Sequence, residues 1–309
     1  MKGQLFTSLI LFMLIGLGCT DGNSDSDDQI SNNIDEVTEL CTTAPSEVWV
    51  SAEATPISLR EVAPGIVIQE TGVRALRGCE SISDMPLAAF NWWTVRDAEA
   101  NSEYGAAVMP LLVEMGAKLI FTGEDPSILR QPSGATPEGT VWVHSKLDLP
   151  LYPSAEKFAE MIGGEAWLEV GEYKMQETNP EDYDFVFMKC FYGCEAVQDS
   201  ASFLGFSGAK TMAHLFNSSQ ETLENALEPL AEELAERTLG RIHFAGYAWA
   251  LPVLRFDGLD DIQTNANGFW NDAAILIELE AGVEVGDVVI LEAYQSLMSQ
   301  TSNDAIVLF

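Results

Sequence analysis

Apolar and polar positions along the central chain switch between two textures. Short runs of apolar, β-branched and aromatic residues recur at Ala88–Trp93, Ala117–Thr122, Thr140–His144, Asp184–Phe191, Ser202–Phe206 and Ile242–Trp249, and each predicts a β-strand. Several are continuous rather than alternating, the pattern of strands buried on both faces of a mainly parallel sheet. Between them the apolar spacing becomes helical. Ser102–Met115 closes on Gly116, a C-terminal cap, and Pro110 predicts a kink or a late start. Ser154–Ile162 opens on an N-capping Ser and stops at Gly163-Gly164. In Ser219–Leu239, Leu223, Leu227, Leu230 and Leu234 form one stripe, Ser218 and Glu221 have capping-box spacing, and Gly240 follows. Its Glu-rich remaining faces read as solvated surface. Met212–Phe216 reads as a further helical apolar stretch. The expected fold class is therefore α/β over residues 41–250, a mostly parallel sheet flanked by helices.

From Leu251 the texture changes. Ala273–Glu280 and Asp287–Tyr294 read as β-rich runs around turn-like glycines, and Ala305–Phe309 as a last one. Residues 251–309 are thus expected to form a β-rich C-terminal extension. The loop from Asp257 to Gly268 is rich in oxygen ligands but lacks the twelve-residue EF-hand spacing, so it reads as a polar turn. No internal repeat, P-loop or G-x-G-x-x-G fingerprint is evident.

The amino-terminal segment adds an address. Lys2, the apolar run Leu5–Leu17 and Gly18-Cys19 have the order of a secretory signal peptide, with an apolar segment short for a membrane span. With Cys at the cut, residues 1–18 resemble a bacterial lipoprotein signal, although Gly16 stands where that family usually has Leu. The resemblance implies a diacylglycerol on Cys19 and a membrane partner reached through that anchor. Thr20 to Glu39 is polar and lacks aromatic residues, so residues 19–40 are expected to be a flexible tether. Thr20 rather than Asp after the Cys implies sorting to the outer membrane, and the expected location is the cell envelope.

Charge and cysteine content narrow the partners. With 48 Asp+Glu against 15 Lys+Arg, the formal net charge is −33, which argues against nucleic acid. Setting Cys19 aside leaves Cys41, Cys79, Cys190 and Cys194, an even number that reads as two disulfides in an exported chain. Cys41 with Cys79 and Cys190 with Cys194 is one of three pairings. The Cys-x-x-x-Cys spacing is weak evidence for zinc, and neither metal nor cofactor is expected.

One candidate chemistry stands at two strand ends, His144 and Cys190, 46 positions apart with a helix between. In a parallel sheet both would emerge at the carboxyl edge, where such folds place their sites. His144, the turn Cys190-Phe191-Tyr192-Gly193 and the following Ser202–Gly208 resemble the caspase/gingipain-like cysteine peptidases over about residues 90–239. That resemblance implies a three-layer sandwich and a peptide substrate. It implies a Cys190 thiolate nucleophile, His144 as its proton-transfer partner, and an oxyanion held by backbone N–H groups near Ser145 and Cys190. Ser145 replaces the family's usual Gly, and Cys194 offers Cys190 a competing disulfide. The alternative is a non-catalytic envelope lipoprotein with a binding or structural role. Trp92-Trp93 must place one ring on each face of its strand, leaving one able to stack on a ligand.

Overall fold

The computed structural model describes residues 59–63, 66–69, 85–130, 144–177, 183–197, 209–249, 254–256 and 271–309. Its main feature is a nine-stranded sheet in which every pair of neighbours is antiparallel. The strands are β3 (Leu87–Trp93), β4 (Lys118–Glu124), β5 (Ser127–Arg130), β6 (Lys146–Tyr152), β7 (Tyr183–Tyr192), β8 (Thr211–Asn217), β9 (Gly240–Trp249), β11 (Ala273–Leu279) and β12 (Ser302–Leu308). A separate antiparallel sheet contains β1 (Leu59–Ala63), β2 (Ile66–Gln69) and β10 (Leu254–Phe256).

The order across the large sheet is β4-β6-β3-β7-β9-β11-β8-β12-β5. Helix α1 (Ala98–Glu114) links β3 to β4, while α2 (Ala155–Gly163) and α3 (Glu165–Glu177) link β6 to β7. In the second half α4 (Gln220–Glu236) links β8 to β9, and α5 (Val285–Val289) with α6 (Glu292–Met298) links β11 to β12. Each half is therefore a β-α-β-β-α-β unit with its strands arranged second, third, first, fourth, which is the ferredoxin-like plan. No repeat is visible in the residues, yet the topology is duplicated.

The sheet curls on itself. Strands β4 and β5 stand at opposite ends of the order, but only Asp125 and Pro126 separate them. Asp125 turns the chain with a φ of 49°, and its N–H donates to the Ser145 carbonyl (2.7 Å). Alternate residues of the strands enclose one apolar core, in which Phe90, Trp92, Phe121, Leu149, Phe244 and Val307 are buried together. The Phe309 ring packs into the same core, 5.2 Å from Phe121 and 6.3 Å from Trp92 between centroids. Outward-facing residues meet the helices. The Leu223, Leu227, Leu230 and Leu234 stripe of α4 is buried against Met212, Phe216, Ile275 and Ile277.

This architecture corrects the expectation of a mostly parallel sheet and of a caspase-like sandwich. The continuous apolar runs do mark strands buried on both faces, but one face lines the curled interior and the other lies under helices. Antiparallel strands meet that requirement as well as parallel ones. The run 273–309 is part of the main sheet, with β11 between β9 and β8. Met212–Phe216, with its helical apolar texture, is strand β8. The run 287–294, β-rich by composition, lies across the end of α5 and the start of α6. Tertiary contacts decide that last case, because the Glu233 carboxylate of α4 accepts from the N–H groups of Ala293 (2.9 Å) and Glu292 (3.3 Å). Those same bonds hold the Glu233 carboxyl below its ordinary range. Helix α1 begins at Ala98 and runs through Pro110, so Pro110 marks no late start. Its cap is Asp97, whose Oδ1 accepts from Glu99 and Ala100 N–H (2.9 and 3.0 Å). Ser219 caps α4 through its Oγ, which accepts from Thr222 N–H (3.1 Å); Ser218 is not the cap.

Candidate functional site

The structure separates the two residues of the expected dyad. Trp93 pairs with Lys146, so His144 and Ser145 lie just past one end of β3. Leu87 pairs with Lys189, and Cys190 N–H donates to the Pro86 carbonyl (3.3 Å), so Cys190 lies past the other end. The six residue steps between Leu87 and Trp93 span about 20 Å, at about 3.3 Å per step. Cys190 is buried in the curled core and bonded to Cys194, with Cα atoms 5.8 Å apart. The turn that brings Cys194 back is made at Gly193 (φ 79°), where a Cβ would run into the His243 carbonyl. His144 is buried at the rim, its carbonyl accepting from Trp92 Nε1 (3.0 Å) and its Nδ1 meeting Thr94 Oγ1 (3.2 Å). Ser145 Oγ accepts from Val95 N–H (2.9 Å), which fastens the chain between β3 and β6. The nucleophile is consumed and its partner lies about 20 Å away, so the cysteine-peptidase reading and its peptide substrate are set aside. Cys19, Cys41 and Cys79, the strand expected at 140–143, the run 202–206 and the oxygen-rich loop at 257–268 lie outside the described residues.

A different site emerges on the outer face of the first half. Beneath α1, α2 and α3 lies a cavity of about 160 Å³. Its walls include Val108, Met109 and Leu112 from α1, Phe158 from α2 and Trp167 from α3. Gly105 lies in the α1 wall, where a Cβ would meet nothing within 4 Å. The sheet supplies the floor, with Trp93 from β3, Thr122 from β4, and Lys146 and Asp148 from β6. The Trp pair does divide between faces: Trp92 lies in the curled core and Trp93 beneath the helices.

Its charged residues form a connected group. Lys174 of α3 is buried with Nζ 3.3 Å from the Trp93 ring centroid and 4.7 Å from that of Tyr104, a cation held against two aromatic faces. Lys146 Nζ donates to Asn101 Oδ1 (3.2 Å) and lies 3.7 Å from both Asp148 Oδ2 and Glu124 Oε1. Thr122 Oγ1 donates to Asp148 Oδ1 (2.6 Å). Burial pushes the Asp148 carboxyl above its ordinary range, against the pull of Lys146, the Thr122 hydroxyl and Lys174. Trp167 Nε1 is buried with no hydrogen-bond partner among the described residues.

Sequence reasoning missed this group. Lys146 and Asp148 share one face of β6 because they are two residues apart, but the apolar pattern puts that segment after a strand rather than in one. Lys174 lies on a helix that the apolar pattern does not predict. The usable signal is the alternation of Lys146, Asp148 and Pro150 against Leu147, Leu149 and Leu151.

No family model and no curated protein matches the chain. Among solved structures, it resembles a candidate monooxygenase from Lactobacillus acidophilus at 12% identity, covering 73% of this chain and 93% of that one with a TM-score of 0.41. A heme-binding protein from Thermus thermophilus aligns at 10% identity over 72% and 90% of the two chains, with a TM-score of 0.36. An anthrone oxidase-like protein aligns at 13% identity over 74% and 94%, with a TM-score of 0.35. Similarity at this level assigns no activity, and the architecture stands on its strand order.

Proposed function

We propose that the cavity beneath α1 and α3 binds a small, largely apolar molecule carrying an anionic group. The observation that supports this reading is the burial of Lys174 beside Lys146 at the edge of an otherwise apolar cavity. Lys174 Nζ is held against the Trp93 and Tyr104 rings, where an ammonium sheltered from water attracts an anionic group more strongly than it would in water. Of the described charged residues lining this cavity, two are Lys and one is Asp, in a chain whose acidic residues outnumber its basic ones 48 to 15. The apolar walls match one aromatic ring or a short branched chain, since engineered apolar cavities of about 150 Å³ admit benzene. Trp167 Nε1 offers a further donor to an oxygen of the ligand.

Benzenesulfonate and its neutral counterpart benzenesulfonamide test the reading, because they have nearly the same shape and differ in charge. Benzenesulfonate should bind at least about tenfold more tightly, equivalent to about 1.4 kcal/mol. Lys174→Met should remove most of that preference without lowering affinity for the sulfonamide. Equal affinities, or no binding of either probe, would refute the reading.

We also propose that the protein is held at the cell envelope by lipid on Cys19, with residues 19–40 as a tether. Support comes from the order Lys2, Leu5–Leu17, Gly18-Cys19, and from the stable anchoring that more than one acyl chain provides. Cys19→Ala should move the protein out of the membrane fraction or leave it unprocessed. An unlipidated wild-type chain in the soluble fraction would end the proposal.

A further inference from the structure

We infer that anion binding in this cavity is coupled to protonation of Asp148, so that ligand and proton are taken up together. The inference rests on the binding reading above and adds the regulation of that site. It follows from which groups share the space. Asp148 faces Lys146 from its own strand at 3.7 Å. From β4 it faces the Thr122 hydroxyl at 2.6 Å, and the Glu124 carboxylate, 3.7 Å from Lys146 Nζ, also acts on it. From β3, Asn91 Nδ2 reaches the Asp148 carbonyl (3.5 Å), and from α1, Asn101 reaches Lys146 (3.2 Å). From α3, the charge of Lys174 acts on the same carboxyl.

The anionic group of a ligand and the Asp148 carboxylate therefore draw on the same two ammonium groups. With both negative in a space sheltered from water, one must lose its charge or the pair must separate, because like charges in a buried site disfavour joint ionisation. A sulfonate does not protonate near neutrality, so Asp148 takes up the proton. Its surroundings suit either state. The Thr122 hydroxyl donates to a carboxylate and can rotate to accept from a carboxylic acid. Burial already shifts the free site towards the protonated form, which reduces the work left for the ligand. One O–H bond forms at Asp148 as the buffer acid gives up its proton: one anion and one proton enter, and their charges cancel.

The experiment measures affinity of the full chain for benzenesulfonate and benzenesulfonamide from about pH 5 to about pH 8. Proton linkage predicts that benzenesulfonate affinity falls as pH rises, by at most about tenfold per unit for one proton, while sulfonamide affinity stays level. Asp148→Asn should bind benzenesulfonate at every pH with the affinity that the wild type reaches only in acid. Calorimetry on the wild type in two buffers of different ionisation heat checks the linkage without any variant. The binding enthalpies should differ in proportion to the protons taken up. Benzenesulfonate that binds with a flat pH profile and equal heats would overturn the coupling and leave the binding reading standing. Absence of benzenesulfonate binding at every pH would overturn both.

Discussion

The two halves of the sheet share a topology and differ in what lies under their helices. In the second half, α4 and α6 press Leu223, Leu230, Leu234 and Leu297 onto Ile275, Ile277 and Phe216, and these side chains leave almost no exposed surface. In the first half, the corresponding layer holds Trp93, Lys146 and Asp148 around open space beneath α1, α2 and α3. The same frame has thus been used once as a packed interface and once as a container. The difference lies in side-chain choice on one face of β6 and β11: Lys, Asp and Pro on the first strand, Ala and Ile on the second. Where selection requires only stability, apolar volume fills the layer. Lysines in the other layer add charge where apolar volume would pack, and that charge is offset by Asp148, Glu124 and the Trp93 and Tyr104 rings.

The largest test of that contrast is truncation. Leu234→Ala, in the filled half, should cost about 2–5 kcal/mol in denaturant unfolding, as expected of a fully enclosed Leu. Leu112→Ala borders the cavity and has fewer atoms to lose contact with, so its loss should fall at or below the lower end of that range. Equal losses would mean that the cavity is as well packed as the other layer.

A second test uses pH, because the two halves carry titrating groups of opposite sign, buried His214 in one and half-buried Asp148 in the other. In the second half His214 Nε2–H donates to Asp304 Oδ1 (3.0 Å) beneath Tyr294. Burial holds the His214 imidazole below its ordinary value, outweighing the Asp304 carboxylate. A lowered His contributes stability that is present above its unfolded value and lost as pH falls from there through its folded value. Asp148 runs the other way: its raised folded value gives stability that is present in acid and lost as pH rises. Melting temperatures followed from about pH 4 to about pH 8 should therefore separate the two. Asp148→Asn should gain on the wild type as pH rises, whereas His214→Gln should gain on it as pH falls. Parallel curves for the two variants would remove this distinction between the halves.

The smallest expected effect is Gly105→Ala. An added Cβ meets nothing within 4 Å, so relief of helical glycine should stabilise by about 0.5–1 kcal/mol. The methyl would stand in the α1 wall and reduce benzenesulfonate affinity by a factor of about two or more, within the range for one methyl-sized group. Unchanged affinity would place the ligand elsewhere in the cavity.

Some strand positions were legible in the residues, and strand direction was not. Ala88–Trp93, Asp184–Phe191 and Ile242–Trp249 all fall within β3, β7 and β9, because apolar runs report burial on both faces. They do not report what does the burying, and a curled antiparallel sheet under helices imitates a parallel one. Local pattern also failed where long-range contacts decide. Val288 to Ala293 has the composition of a strand, yet the Glu233 carboxylate captures the start of α6. The candidate site was the least visible part. Lys146 and Lys174 are 28 positions apart, and a lysine in an acidic chain reads as surface until the fold places it over Trp93. His144 and Cys190 illustrate the converse, since a suggestive spacing failed once the sheet direction was known.

The short link at Asp125-Pro126 has a consequence for the order in which the molecule forms. Strand β5 ends at Arg130, and its partner among the described strands, β12, begins at Ser302, about 170 residues further along the chain. The first half can pair β4, β6, β3 and β7 among themselves as soon as they are made. It cannot seat β5 until nearly all of the second half exists. Contacts this far apart in sequence carry a high loop-closure entropy and raise the contact order. Closure of the sheet is therefore a late folding step. Until it occurs, β5 and the β12-facing side of β8 present unpaired backbone, the kind of edge on which partly folded chains associate.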